Sequence, residues 1–481
     1  MNLPAGQLRQ PRLVDDPGTP RLPWAFRGTL AVSRNGFGAF AAAVLGAAAL
    51  TLLAWIRLPG LTRETLWAED GGIFLRQAMD SRFLSGLMDP YDGYLHLLPR
   101  LLAHLSLRMG PLEGYAERIS WLSCASVGLV GVAVFFLSRP YMPRVMGSVL
   151  LAVIPALLPV GTLEVLGNTA NLHWFMLWLV PWLLIYPTRT VGFNVCLAAT
   201  AFVAASTEIQ TVLFVPLIVL AVRTRRQWGA SIGLLLGLAM QFITYASFPR
   251  SVSKDAVPWD LGMVLIGWLT QGGMSNVESS AASIGVAWTY FGGALLVVPI
   301  ALVLIPLVAG AMKGRATLLV AAAFVVVSAA LWFAAQVFNN RPFMAYSSFT
   351  NDEWLKFDFL RYAAAPAMFA LGALAIVVGG FRWRQGVQGI TGSEAPARSG
   401  VQWETICSTV LLTILAFGFF PPTSLRADGP SWQTQVAAGR TACEADPQLV
   451  EVPAFVAPRG WGLERVAISC NRLRTNDNER R

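Results

Sequence analysis

Apolar stretches recur along this chain between residues 36 and 420, and each is close to the about 20 residues that an α-helix needs to cross a bilayer. Charged residues make up only 13% of the chain, against about 25% in soluble domains. A chain of this kind satisfies its backbone in lipid by forming helices, and no strand or βαβ pattern is evident in the sequence. The sequence therefore predicts an all-α polytopic membrane protein.

The predicted organisation has three parts. Residues 1–35 are rich in Pro and Arg and lack apolar periodicity, which predicts a disordered cytoplasmic tail. Residues 36–420 form the transmembrane domain, whose first helix is too long for a signal-peptide core. Residues 421–481 form a small extracytoplasmic tail. The eleven predicted spans are 36–59, 119–138, 145–162, 169–187, 190–206, 207–222, 228–248, 285–310, 316–338, 360–380 and 403–420.

Charged residues between the spans predict the orientation. With the N-terminus in the cytoplasm, alternate connections carry the basic residues, and nearly all other acids fall on the outer side. The formal charge of +9 is spread over these connections, so no concentrated basic face for nucleic acid is predicted. We expect a protein of the cytoplasmic membrane with its C-terminus outside. The charged residues of the predicted inner connections are Arg139, Arg144, Arg189, Arg223, Arg225, Arg226, Lys313, Arg315, Arg382, Arg384 and Arg398, with the acid Glu394.

The first predicted outer segment, residues 60–118, carries two adjacent acids. Glu69 and Asp70 follow Trp67, a residue suited to the membrane interface, and precede two glycines. A carboxylate at such a place is able to act as a general base, and the glycines would let a substrate approach the backbone. The alternative is a solvated loop or a helix N-terminus, where acids are also favoured.

Basic residues recur every four positions in a predicted helix over residues 95–109. His96, Arg100, His104 and Arg108 would share one face, with leucines filling much of the rest. This pattern is typical of a helix at the membrane surface, whose basic residues face lipid phosphates. The other interpretation is a cavity that holds a phosphate-bearing substrate. His96 is the better candidate for that role because it is closest in sequence to the acids.

Arg361 stands at the outer end of the predicted span 360–380. An Arg at the membrane boundary is costly and usually has a partner, and guanidinium matches phosphate oxygens bidentately. Arg361, with Tyr362 beside it, is a candidate for holding a lipid-linked phosphate; the alternatives are snorkelling to the headgroups or pairing with Asp358. Further polar residues predicted to line the same outer cavity are Asp92, Glu164, Asn168, Asn171, His173 and Glu208.

The five cysteines and three histidines predict a disulfide rather than a metal centre. Cys443 and Cys470 both lie in the predicted outer tail, where an oxidising compartment favours their pairing. The alternative is two free thiols. The sequence has no CxxC motif, no nucleotide-binding loop and no dedicated set of metal ligands. We therefore expect no cofactor, and a divalent metal is the alternative that stays open.

With these residues in view, the chain resembles the GT-C superfamily of polytopic glycosyltransferases over residues 36–420. The layout is most similar to the protein O-mannosyltransferases and the aminoarabinose transferases of lipid A. The similarity is carried by the sequence Trp-Ala-Glu-Asp-Gly at residues 67–71 in a long first outer loop, and by Leu-Arg-Tyr at residues 360–362. The family often has Asp before Glu, whereas this chain has Glu69 before Asp70.

This resemblance implies a GT-C-like bundle and a transfer reaction on the outer face. A polyprenyl-phosphate sugar would enter from the outer leaflet, and Asp70, slightly preferred, or Glu69 would deprotonate a lipid or glycan hydroxyl. Attack on the anomeric carbon would invert its configuration. Arg361 would stabilise the departing phosphate, assisted by His96 and Arg100. The rival classes are a transporter or flippase for a lipid-linked saccharide and a non-catalytic scaffold of the cell envelope.

Overall fold

The computed structural model describes residues 36–188, 190–219, 228–250, 257–339, 341–383, 400–420, 424–463 and 465–474. The predicted tail 1–35 lies outside the described residues. The same holds for these charged residues of the predicted inner connections: Arg189, Arg223, Arg225, Arg226, Arg384, Arg398 and Glu394. The chain divides into two units, Met1–Val44 and Leu45–Arg481. In the first unit only the beginning of helix α1 is described, and the second unit carries the site.

About 75% of the chain is helical, with almost no strand among the described residues, as in an all-α membrane protein. The α-helices are α1 (Gly36–Ile56), α2 (Gly60–Glu64), α3 (Arg76–Asp80), α4 (Phe83–Met88), α5 (Leu97–Met109), α6 (Tyr115–Ser138), α7 (Val145–Leu157), α8 (Leu172–Ile185), α9 (Val191–Ala205), α10 (Trp228–Ser247), α11 (Leu261–Gly267), α12 (Ala281–Phe291), α13 (Val297–Lys313), α14 (Arg315–Phe338), α15 (Asn351–Trp354), α16 (Ala364–Gly379), α17 (Gly400–Phe417), α18 (Trp432–Ala445) and α19 (Cys470–Arg474).

Six of the described helices are long and apolar enough to cross a membrane: Gly38–Ile56, Leu112–Ser138, Trp228–Ser247, Ala281–Lys313, Arg315–Phe338 and Arg361–Gly379. Four shorter apolar helices coincide with further predicted spans: Val145–Leu157, Leu172–Ile185, Val191–Ala205 and Gln402–Phe417. The predicted span 207–222 differs. Residues Ile209–Leu217 form a 3-10 helix, and residues 220–222 of this span lie outside the described residues. The count of eleven stays a prediction.

Connections that were predicted to share one side of the membrane meet in the structure. Arg144 and Lys313, from two predicted inner connections, both form ion pairs with Glu404 near the beginning of α17. Arg382 N also donates to the Tyr141 carbonyl, at 3.0 Å. These contacts bring the three connections that contain Arg144, Lys313 and Arg382 close together. Which side faces the cytoplasm stays a prediction, as does the identity of the membrane.

Helix α5 occupies the position of the predicted surface helix, but its basic side is turned into the protein. Arg100 and His104 are only 2% and 7% exposed. Arg100 Nη1 donates to Gln77 Oε1 at 2.7 Å and to the Gly86 carbonyl at 3.3 Å. The prediction that this face meets lipid phosphates is wrong for these two residues, because the preceding short helices α3 and α4 cover it.

The C-terminal segment, residues 424–463 and 465–474, is folded. It contains α18, α19 and a two-stranded antiparallel sheet formed by β1 (Glu451–Phe455) and β2 (Arg465–Ser469). Alternate residues of each strand are buried, and they share a hydrophobic core with Leu66, Leu75 and Tyr115 of the first outer segment. The sequence analysis does not predict these strands, and Pro453 within β1 weakens the strand pattern there.

Cys443 and Cys470 form a disulfide with a sequence separation of 27 residues, joining α18 to α19. A loop of this length gives about 3 kcal/mol of stabilisation, because the bond restricts the unfolded chain. We expect Cys443→Ser to lower the unfolding temperature of the C-terminal segment, measured by calorimetry of the detergent-solubilised protein. Cys196→Ser, at an exposed free cysteine, is the matched control. Equal unfolding temperatures for the wild type and Cys443→Ser would contradict a stabilising disulfide.

Candidate functional site

Asp70 begins a buried π-helix, Asp70–Leu75, and is only 1% exposed. Its Oδ2 accepts from Thr169 N at 3.0 Å, and its Oδ1 accepts from Thr169 Oγ1 at 2.6 Å and Ala170 N at 2.9 Å. Burial raises the pKa of Asp70 to about 6, while the Thr169 hydrogen bonds and the charge of Arg426 oppose that shift. At neutral pH Asp70 is therefore an ionised carboxylate whose lone pairs are used to join two loops.

Arg426 of the C-terminal segment bridges the same two loops, the one that leads into Asp70 and the one that leads into Thr169. Its Nη1 donates to the Thr65 carbonyl at 3.3 Å and to the Gly167 carbonyl at 2.9 Å, and its Nη2 donates to the Leu166 carbonyl at 2.8 Å. The side chain is buried and also attracts Asp70. A buried guanidinium with carbonyl acceptors and a nearby carboxylate is well compensated. The C-terminal segment is thus part of the framework that holds the acid-bearing loop.

Glu69 takes a different direction from Asp70 and meets Arg361. Arg361 Nη1 donates to Glu69 Oε1 at 2.9 Å and lies 3.7 Å from Glu164 Oε1. The backbone N–H of Arg361 donates to Glu164 Oε2 at 2.9 Å. The alternative partner, Asp358, accepts instead from the N–H of Phe359. One guanidinium therefore joins acids from two other loops.

One carboxylate oxygen of Glu69 is left without a partner in this group. Glu69 Oε2 is buried and has no hydrogen-bond partner among the described residues. A buried acceptor left unpaired costs about 1–3 kcal/mol, which a bound hydroxyl or water would recover. Burial raises the pKa of Glu164 to about 7, although the positive charge of Arg361 opposes this shift. Glu164 is therefore close to half protonated at neutral pH.

Glu69 and Arg361 line a cavity of about 410 Å³, a volume within the range of about 300–1,000 Å³ for small-molecule sites. Its polar lining comes from loops and helix ends. Its apolar lining comes from the 3-10 helix and from two helices of membrane-spanning length, α10 and α14. Phe242 and Phe338 of that apolar wall are 52% and 71% exposed, so the wall continues onto the protein surface.

Two histidines lie in this cavity. His96 is 4% exposed, and its Nδ1 has no hydrogen-bond partner among the described residues. Burial, with the nearby His173 and Arg100, keeps the pKa of His96 well below its usual value, so the ring is neutral. His173 Nδ1 pairs with Glu208 Oε2, which fixes the orientation of the second ring. The cavity thus contains a neutral imidazole and an oriented His–Glu pair.

An ion pair closes another part of the lining. Arg250 Nε lies 2.9 Å from Asp92 Oδ2, and Arg250 Nη2 donates to Asn339 Oδ1 at 2.8 Å. Asp92 has a φ of 50° in the left-handed region, which is uncommon for a residue with a side chain. Together these contacts join the turn that contains Asp92 to the ends of α10 and α14.

The structure brings most of the predicted site residues together. Those that line the cavity are Glu69, Asp92, His96, Asn171, His173, Glu208, Arg361 and Tyr362. Asp70, Arg100 and Asn168 are not in the cavity wall. Asn168 stabilises a turn instead, since its Nδ2 donates to the Glu164 carbonyl at 2.6 Å. Glu164 contacts the cavity through Arg361.

The two glycines after the acids serve the packing of the C-terminal segment. A Cβ at Gly71 would lie 2.5 Å from Val456 Cγ1, and one at Gly72 would lie 2.8 Å from the Leu463 carbonyl oxygen. The expectation that they open the backbone to a substrate is therefore wrong. Trp67 is likewise fully buried in the protein, so its ring does not meet lipid headgroups.

Sequence reasoning did not find Tyr94, Arg250 or Asn339, which also line the cavity. The Asp-Gly turn just before Tyr94 was a signal for that residue. Arg250 and Asn339 stand at helix ends without a distinctive motif. Within the described ranges, no group of three His, Cys, Asp or Glu residues is arranged to hold a metal ion. The expectation of a cofactor-independent site stays a prediction.

Comparison with known proteins does not assign the chain to a class. No protein family matches the sequence, and no curated protein or solved structure is significantly similar to it.

Proposed function

We propose that this protein is a membrane glycosyltransferase, which moves a sugar from a polyprenyl-phosphate donor to a hydroxyl group of a cell-envelope acceptor. The observation that carries the proposal is the Glu69–Arg361 pair in a cavity whose apolar wall continues onto membrane-length helices. Such a cavity suits a ligand with a charged head and a long apolar chain. The GT-C-like positions of both residues in the sequence agree with this function.

Arg361 holds the donor phosphate in this proposal. Its guanidinium is able to form paired hydrogen bonds with phosphate oxygens, and it supplies charge where the leaving group becomes more negative. The isoprenoid chain follows the apolar wall past Leu213, Phe242 and Phe338. His96, a neutral ring with an unpaired Nδ1, donates or accepts one further hydrogen bond at the head group.

Glu69 acts as the general base, in preference to Asp70. Its Oε2 has no hydrogen-bond partner among the described residues, whereas the Asp70 oxygens already accept three hydrogen bonds. The acceptor oxygen bonds to the anomeric carbon as the bond from that carbon to the phosphate oxygen breaks. The electron pair leaves with polyprenyl phosphate, the proton moves to Glu69, and the anomeric configuration inverts.

A transporter or flippase of a lipid-linked saccharide would also use an amphipathic cavity. The two functions differ in whether the sugar leaves its lipid. Purified protein in detergent, supplied with polyprenyl-phosphate sugars and extracted envelope acceptors, tests this directly. Transfer of labelled sugar to the extract supports the transferase, and an intact lipid throughout contradicts it.

Binding of undecaprenyl phosphate is expected to weaken above neutral pH. Below the Glu164 pKa of about 7 the carboxyl is protonated and leaves more of the Arg361 charge for phosphate. As pH rises through 7, Glu164 ionises and competes for the guanidinium. If this competition weakens the contact between Arg361 and the phosphate by about 1 kcal/mol, the affinity for the lipid falls roughly 5-fold between pH 6 and pH 8.

Titration of the lipid phosphate itself complicates this profile, since its second pKa is about 6. Glu164→Gln is the control, because it removes the carboxyl while keeping the acceptor for the Arg361 N–H. The difference between the wild-type and Glu164→Gln profiles, measured by native mass spectrometry or lipid titration, isolates the effect of Glu164. Parallel profiles would show that Glu164 does not compete with phosphate.

A further inference from the structure

The loop between β1 and β2 brings an exposed aromatic ring to the acid–arginine pair. Trp461 is 38% exposed, and its ring centroid lies 5.3 Å from that of the buried Trp67 in an edge-to-face arrangement. Arg361 Cζ lies 5.7 Å from the centre of the Trp461 ring. The same guanidinium that binds Glu69 is therefore flanked by an indole that solvent reaches.

This loop is held firmly against the acid-bearing loop. Ala457 N donates to the Leu66 carbonyl at 2.9 Å, and the two segments form a short parallel β-bridge between Trp67 and Ala457. Gly72 allows the Leu463 backbone to approach closely. Backbone pairing at Ala457 and the close approach of Leu463 to Gly72 thus hold the loop on both sides of Trp461.

Trp461 contacts Arg361 but does not belong to the wall of the cavity, in which the donor is proposed to bind. An exposed indole beside the acid–arginine pair, outside the donor cavity, is available to an acceptor that reaches the proposed base from solvent. Its electron-rich face packs against the C–H bonds of a sugar ring, while the ring hydroxyls remain solvated.

We propose that Trp461 is the acceptor platform of the site and that the acceptor is a saccharide, whose terminal ring packs on the indole. This assignment rests on the proposed transferase function and deepens it, because it selects a glycan acceptor over a lipid or protein hydroxyl. Trp461 determines acceptor binding and takes no part in proton transfer.

Saccharide binding to the full-length protein in detergent, without any donor, tests the platform separately from catalysis. The probes are methyl glycosides of common envelope hexoses and pentoses, and the readout is saturation-transfer difference NMR. We expect signals from at least one glycoside with the wild type, their loss in Trp461→Ala and their retention in Trp461→Phe. Trp259→Ala, at another exposed tryptophan, is the matched control and keeps the signals. Absence of wild-type signals, or equal signals in Trp461→Ala, overturns the platform.

Transfer kinetics provide the second readout. In Trp461→Ala we expect the apparent KM for envelope acceptors to rise about 3- to 10-fold, as for loss of one aromatic contact, with little change in kcat. Undecaprenyl phosphate binding should be unchanged. If Trp461→Ala weakened undecaprenyl phosphate binding as much as acceptor binding, Trp461 would instead be a residue that positions Arg361. If the wild type binds glycosides but transfers no sugar, the transferase proposal fails while the saccharide site stands.

Discussion

Glu69→Gln is expected to lower sugar transfer by about 100- to 10,000-fold, the usual contribution of a positioned general base. The amide has nearly the same shape and still accepts the Arg361 Nη1 hydrogen bond through its oxygen, but it is unable to take a proton. Binding of undecaprenyl phosphate should not weaken, because the neutral amide competes less for the Arg361 charge. The measurement is transfer of labelled sugar to envelope extract by the purified variant, together with lipid binding on the same sample.

Asp70→Asn is the matched control, since the two acids are adjacent and differ mainly in their partners. The asparagine amide group is unable to accept from every donor that meets Asp70, so one buried donor is left unpaired, at a cost of about 1–3 kcal/mol. We expect a lower unfolding temperature and residual transfer. A stable Asp70→Asn protein without transfer, beside an active Glu69→Gln protein, would assign the base to Asp70.

Arg361→Ala is expected to weaken undecaprenyl phosphate binding by at least about 30-fold, because removing one member of a buried charge pair costs about 2–5 kcal/mol. The phosphate loses its counter-charge, and Glu69 and Glu164 are left beside each other without a cation. Their mutual repulsion then also opposes an incoming anion. Lipid titration followed by native mass spectrometry measures the effect.

Two variants make the Arg361 experiment specific. Arg361→Lys keeps the charge but not the paired hydrogen bonds, so we expect an intermediate affinity. Arg250→Ala removes the other arginine of the cavity lining, whose partners are Asp92 and Asn339. Its effect on phosphate binding should be much smaller. An equal or larger loss in Arg250→Ala would move the phosphate site from Arg361 to Arg250.

Much of the site was predictable because it depends on local chemistry. The acid pair, His96 and Arg361 stand out in the sequence as polar residues next to apolar stretches, where their burial needs a reason. Charge alternation assigns the connections containing Arg144 and Lys313 to one side of the membrane, and in the structure both residues pair with Glu404.

The different partners of Glu69 and Asp70 were not predictable, because they depend on contacts between distant parts of the chain. Asp70 is engaged by Thr169 and attracted by Arg426, and neither relation is encoded near the acid pair. The same is true of Gly71, whose small size serves Val456. A sequence motif identifies residue types that suit a reaction, whereas only the packing decides which atom remains free to react.

The most direct test of the account follows the sugar itself. The protein is reconstituted in liposomes with polyprenyl-phosphate sugars, labelled in the sugar, and envelope extract is added outside. We predict that label leaves the lipid in proportion to the extract and that free polyprenyl phosphate accumulates in equal amount, with neither change in Glu69→Gln liposomes. Label that remains on intact lipid, whether or not that lipid changes leaflet, would contradict a transferase.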